Sequence, residues 1–191
     1  GTRNGFGVFV TPLEKEFDWS RTSTSVVFMM ATLIGGLSQP FIGRLYDRFG
    51  GRMVISISLL ALGSCTILLS QIDSLWMLVV IYGFAMSIAA GGASLVTIHA
   101  LLSKWFYLKR GLALSISTTG ASAGSLVMAP FATYVIVWAG WRVSWSVMGA
   151  LILLLGIPVA WLILRDDPAE VGESPDGGAD RTEPGHLLNP S

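Results

Sequence analysis

Charge is the scarcest commodity in this chain. Of its 191 residues only 13% are Asp, Glu, Lys or Arg, and the two signs cancel to a formal net charge of zero. With no basic run and no net positive charge, the electrostatic footprint of a nucleic-acid partner is missing. Cysteine is nearly absent as well: the single Cys65 lies inside an apolar stretch, which excludes an internal disulfide and a cysteine-held metal cluster. The apolar stretches contain no paired carboxylates, no nucleophile beside a base and no metal-ligand spacing, so neither an enzyme nor a resident cofactor or metal is expected. No cleavable signal peptide is recognisable.

What is present is long uncharged runs. Thr22 to Ile42, Met53 to Ile72, Ser74 to Ser103, Gly111 to Trp141 and Val143 to Leu164 carry no charged residue. Each meets the requirement of about 20 apolar residues for a spanning helix. They are too long for barrel strands of about 10 residues, and a helix satisfies its own backbone in lipid. The fold class is therefore all-α, a polytopic membrane bundle, with spans expected at about 22–42, 53–72, 76–102, 111–137 and 143–164. The chain is already apolar from Phe6 to Val10, so residues 1–12 read as part of a further span, the first. Residues 1–165 then form the bundle, and 166–191, rich in Gly, Pro and acidic residues, form a linker or tail expected to be disordered.

Loop charges orient these spans. With alternating loops, Arg44, Arg48, Arg52, Lys104, Lys109, Arg110, Arg165 and Arg181 gather on one side, against Lys15, Arg21 and Arg142 on the other. The positive-inside bias makes the first side cytoplasmic, tail included, with a plasma membrane, bacterial inner membrane, as the expected location. Trp19, Trp76, Trp138 and Trp141 fall near the outer boundary and Trp105 near the inner one, where amphipathic rings anchor at headgroups.

One loop is unlike the others. Gly43-Arg44-Leu45-Tyr46-Asp47-Arg48-Phe49-Gly50-Gly51-Arg52 packs glycines and charges between two uncharged spans, as a membrane-surface reversal with one carboxylate among arginines. It resembles the G-x-L-x-D-R-x-G-x-R signature between the second and third helices of the major facilitator superfamily, and the order of spans resembles that family's N-terminal six-helix half. Trp105-Phe106, Lys109 to Ala113, Gly120, Gly124, Pro130 and Gly140-Trp141-Arg142 are similar to the monocarboxylate and oxalate/formate antiporter branch. So are Phe17 to Arg21 and Asp167 to Gly172. The resemblance implies a secondary transporter, antiporter or symporter, whose substrate sits between two six-helix halves that rock against each other, so a C-terminal half is an expected partner. It also implies that each half is built of inverted three-helix repeats, and Gly50-Gly51-Arg52 is echoed by Gly140-Trp141-Arg142.

Candidate residues follow. The resemblance makes Asp47 a gating carboxylate that contacts the opposite half, with Gly43, Arg48, Gly50 and Arg52 completing the signature; a solvated loop acid balancing the arginines is the plainer alternative. Arg48 and Arg52 suit latch and lipid-headgroup contacts. Arg3 lies about 15 Å below the outer boundary near Leu13, close to mid-bilayer. A guanidinium there requires a carboxylate, a wet cavity or an anionic substrate, and it grips carboxylates with parallel hydrogen bonds. Asn4 is a neighbouring polar contact. If Arg3 is instead a ragged end, this reading lapses. His99, close to Lys104 and Trp105, reads as an interfacial histidine rather than a proton carrier. Gly120 and Gly124 form a small-residue face for close helix packing, and Pro130 and Pro158 are candidate kinks or hinges.

The expected function is alternating-access transport of a small organic anion, a monocarboxylate or dicarboxylate, coupled to a proton or a counter-anion. A carrier of drugs or other neutral solutes, and a non-transporting membrane sensor or assembly partner, are the alternatives.

Overall fold

The computed structural model describes residues 16–105 and 110–163, together with Phe9 and Leu13. Arg3, Asn4, Lys109 and the 166–191 tail lie outside the described residues. Among those described, the architecture is helical with no strand, and 5 helices are long and apolar enough to cross a membrane. They are α1 (Arg21–Phe49), α2 (Gly51–Gln71), α3 (Leu75–Ser103), α4 (Arg110–Ala139) and α5 (Trp141–Leu162).

Helix boundaries follow from capping chemistry rather than from charge. Ser20, in extended backbone, starts α1 by accepting the amide N–H of Ser23 on its Oγ at 3.2 Å. Ser74 does the same for α3 through the N–H of Met77 at 3.3 Å. The sequence placed the reversal across residues 43–52, but the helix continues through Asp47 and Arg48 to Phe49. Charged side chains do not break a helix, and Gly43 alone costs only about 1 kcal/mol. The turn is confined to Gly50, with φ 81° and ψ 161°, and α2 begins at the next residue. Gly51 must also lack a side chain, because a Cβ there would lie 2.7 Å from the Tyr46 ring. The α4 to α5 reversal repeats this device at Gly140, with φ 88° and ψ 165°.

Packing is densest between α2 and α5, which cross at Gly63 and Gly149. A Cβ on Gly149 would stand 2.8 Å from the carbonyl oxygen of Gly63. Small residues at a crossing allow close contact, the main source of helix association where lipid is as apolar as the core. Gly91 and Gly92 place α3 against both neighbours: Gly91 faces Ile42 and Ser38 of α1, and Gly92 faces Ser58 of α2. The main core gathers Phe9, Leu13, Val27, Leu69, Leu78, Tyr82, Met86, Trp141 and Trp145.

Trp76 and Trp138 are exposed, as an interfacial position requires, but Trp141 is not. It is buried, donates its indole N–H to Glu16 and meets the Phe17 ring edge-on. Its position at a helix boundary suggested an anchor; its carboxylate partner draws it inward. Arg142, next in sequence, ties the same end together. Its guanidinium reaches Glu16 at 2.9 Å, Asp73 at 3.0 Å and the carbonyl of Ile72 at 3.3 Å.

Candidate functional site

Among the described residues helix α4 is the loosely held member, with Ala132 and Val135 as its buried residues and little contact with α1. The space left between α1, α3 and α4 is an open cleft of about 1190 Å³. Its walls combine apolar residues, among them Leu95, Val96, Ile98 and Leu126, with small and weakly polar ones: Thr32, Gly35, Gly36 and Gln39 from α1, Ala93 and Ser94 from α3, and Ala121, Ser122, Ser125, Ala129 and Pro130 from α4. Such side chains leave room for a solute and offer it hydrogen bonds.

The hydroxyls are held by their own helices. Thr32 donates to the carbonyl of Phe28 at 2.9 Å, Ser122 to Thr118 at 3.0 Å and Ser125 to Ala121 at 3.1 Å. With their protons so engaged, donation to a solute requires the hydroxyl to leave its carbonyl. Gln39 differs. Its half-buried amide lies where a Cβ on Gly91 would approach its nitrogen at 3.3 Å, and it makes no hydrogen bond among the described residues. It offers both donors and its acceptor to the cleft. Gln39 belongs to no motif in the sequence; the available signal was a side-chain amide inside the uncharged 22–42 run.

The second feature is a break in α3. Regular helix ends at Gly92, Ala93 and Ser94 form a turn, and a new helical half, Leu95–Trp105, begins. The Gly91 carbonyl accepts the N–H of Ser94 at 3.2 Å and the Thr97 hydroxyl at 3.4 Å, which satisfies the interruption. Irregular backbone at membrane depth is tolerated where it lines a cavity, and Ala93, Ser94 and Leu95 all line this one. The new half therefore starts at the cleft wall, and a helix start carries a partial positive charge.

The signature residues separate into distinct tasks. Gly50 and Gly51 make the reversal. Arg52 donates to the Trp161 carbonyl at 2.8 Å with its guanidinium 4.5 Å from that ring's centroid, which staples the start of α2 to α5. Arg48, in the last turn of α1, complements the helix dipole and lies 5.3 Å over Phe49. Asp47 is exposed on the same rim and makes no ion pair with the described residues. Gly43 is exposed, with open space where a Cβ would be.

Gly120 and Gly124 are also exposed, and a Cβ at either meets nothing within 4 Å, so within the described residues no helix packs on them. Their neighbours Ala121, Ser122 and Ser125 face the cleft instead. Pro130 lines it too, and α4 runs through that position without a break. Pro158 follows a widened stretch of α5, Ile152–Gly156, where the ladder is already disturbed. In α3, the Nε2 of His99 is buried without a hydrogen-bond partner among the described residues. No cluster of His, Cys, Asp or Glu suited to a metal occurs among the described residues.

A family model described as Major Facilitator Superfamily matches residues 1–189. The chain is 27% identical over 172 residues to the MFS-type transporter YcxA of Bacillus subtilis (strain 168), covering 90% of this chain and 42% of that protein. It is 27% identical over 176 residues to monocarboxylate transporter 14 of Homo sapiens, covering 92% and 34% respectively. With monocarboxylate transporter 11 of Homo sapiens it shares 29% over 180 residues, 92% of this chain and 38% of the relative. The chain thus spans less than half the length of these curated relatives.

Proposed function

Since the chain belongs to the Major Facilitator Superfamily, we propose that it supplies one half of a secondary transporter that moves a small organic anion, a monocarboxylate or dicarboxylate, by alternating access. The observation that carries this reading is the cleft. It is wide, carries hydroxyls and the Gln39 amide, which has no partner among the described residues, in a partly apolar wall, and is bordered by the interrupted α3 with a helix start at its wall. Each of these favours a polar solute, and the helix start favours a negative one. That two relatives are named as monocarboxylate transporters supports the same class.

In this reading Arg3 neutralises the carboxylate and Asn4 adds a polar contact, while Gln39 and the α3 break hold the rest of the solute. A second six-helix half closes the other side of the cleft, and Asp47, exposed on the cytoplasmic rim, is the group that latches onto it. A proton or counter-anion provides the drive, and the protein sits in a plasma membrane with its tail cytoplasmic.

The test is uptake of radiolabelled lactate and malonate into membrane vesicles carrying the protein expressed from its native reading frame. Arg3→Gln is expected to lower uptake about tenfold or more while protein level and melting stay unchanged, since a charge-assisted bidentate pair is lost. Unchanged uptake of both acids in that variant would overturn the anion assignment.

A further inference from the structure

A groove of about 400 Å³ runs between α2 and α5 and shares no residue with the cleft. One wall is Met53, Ile57 and Leu60, which lie on one face of α2 at helical spacing; the other is Ile157 and Trp161, one turn apart on α5. Apart from the half-buried Ile157 these side chains are exposed, so the groove opens outward, where a spanning helix meets lipid. From Met53 to Leu60 it follows α2 for about 10 Å, roughly two-thirds of the hydrocarbon depth of one leaflet. Ser56, also in the wall, donates its proton to the carbonyl of Arg52 at 2.7 Å, so the body of the groove offers no hydroxyl donor.

The head of the groove is cationic. Arg52 stands there, beside the Gly50 reversal, with its guanidinium 4.5 Å from the centroid of the Trp161 ring and Nη2 donating to the Trp161 carbonyl at 2.8 Å. These two contacts fix the charge above the apolar track. Arg48, the other signature arginine suited to headgroups, lies over Phe49 and is no part of this wall. A tryptophan ring at headgroup depth and a guanidinium at the membrane edge attract an anionic lipid surface, and the track below them accepts a hydrocarbon chain.

We propose that this groove seats an anionic phospholipid, with its phosphodiester at Arg52 and an acyl chain lying between α2 and α5. The site is independent of the anion proposed for the cleft. A lipid in this position touches both helices, so its binding stabilises their pairing at the Arg52 end.

The experiment is native mass spectrometry of the protein expressed from its native reading frame, delipidated in detergent and titrated with equimolar dioleoyl phosphatidylglycerol and dioleoyl phosphatidylcholine. The first lipid retained is expected to be the anionic one, by about fivefold. Arg52→Gln is expected to erase that preference, whereas Arg44→Gln, at an exposed arginine of the same signature, keeps it. Ile57→Trp fills the groove with Arg52 in place and is expected to lower retention of the first lipid severalfold. Glycerophosphate, a headgroup without chains, is expected not to displace the lipid even in large excess. Equal retention of the two lipids would overturn the proposal and leave only unselective lipid at the surface. So would a preference lost as fully in Arg44→Gln as in Arg52→Gln, which assigns it to the general charge of the rim, and so would displacement by glycerophosphate. Should Arg52→Gln fail to fold, Ile57→Trp, a change at an exposed position, decides: unchanged retention there contradicts the groove.

Discussion

Gly50 and Gly140 hold the same backbone conformation, φ 81° with ψ 161° and φ 88° with ψ 165°, each immediately before a helix whose second residue is an arginine. This region is essentially closed to any residue with a Cβ. Arg52 then binds Trp161, and Arg142 binds Glu16 and Asp73. The two reversals, α1 to α2 and α4 to α5, thus each pair a glycine hinge with an arginine staple.

Replacement of either glycine tests the hinge. Gly140→Ala meets no atom within 4 Å, so its cost is conformational alone, about 1–3 kcal/mol. Gly50→Ala is expected to cost a similar amount. Gly43→Ala, in the helical part of the same signature, is expected to be neutral or stabilising by up to about 1 kcal/mol. Thermal unfolding in detergent separates the three, and an equal loss from Gly43→Ala would contradict the confinement of the turn to Gly50.

At the α2 and α5 crossing, Gly149→Ala brings a Cβ to 2.8 Å from a backbone oxygen and 2.5 Å from the Ile67 side chain. The backbone cannot yield without parting the helices, so a loss of about 1–3 kcal/mol is expected. Gly63→Ala meets chiefly the movable Leu153 side chain and should cost less. The order of the two melting temperatures is the readout.

The Arg142 cluster is partly exposed, with side chains 39%, 44% and 79% accessible for Arg142, Glu16 and Asp73. Each ion pair is therefore expected to contribute no more than about 1 kcal/mol. Arg142→Gln should lower stability modestly in low salt, and the difference should shrink in molar salt as screening removes the pairs. Arg142→Lys is expected to restore only part of it, since one ammonium cannot fork between two carboxylates and a carbonyl. Melting curves at both ionic strengths check this.

Much of the fold was legible because membranes permit few solutions. An uncharged run of about 20 residues has to be a helix, and a Gly-Gly pair between two such runs has to be a reversal. What escaped is what depends on neighbours. Trp141 reads as a boundary aromatic until Glu16, distant in sequence, is seen to accept its N–H. The α3 break at Ala93 and Ser94 contains no proline, and its local pattern is that of any small-residue stretch. Gly120 and Gly124 carry the packing pattern, yet within the described residues α4 turns that face to open space. Gln39 was visible as an odd amide, but only the cleft around it gives it a task.

Gln39→Leu keeps side-chain bulk while removing donors and acceptor. Uptake of lactate is expected to fall roughly threefold to tenfold, as for loss of one solute hydrogen bond, with melting unchanged or raised. Unaltered uptake would remove Gln39 from the solute's path.

The most direct test of the cleft as the solute pathway is substrate protection of a cysteine placed in it. With Cys65→Ser as background, Ser125→Cys in the cleft wall and Val137→Cys on the exposed face are labelled with a membrane-permeant maleimide in vesicles, with and without saturating lactate or malonate. The expected result is that one of these acids slows labelling at position 125 severalfold and leaves position 137 unchanged. Equal labelling at position 125 with and without either acid would contradict carboxylate passage through this cleft.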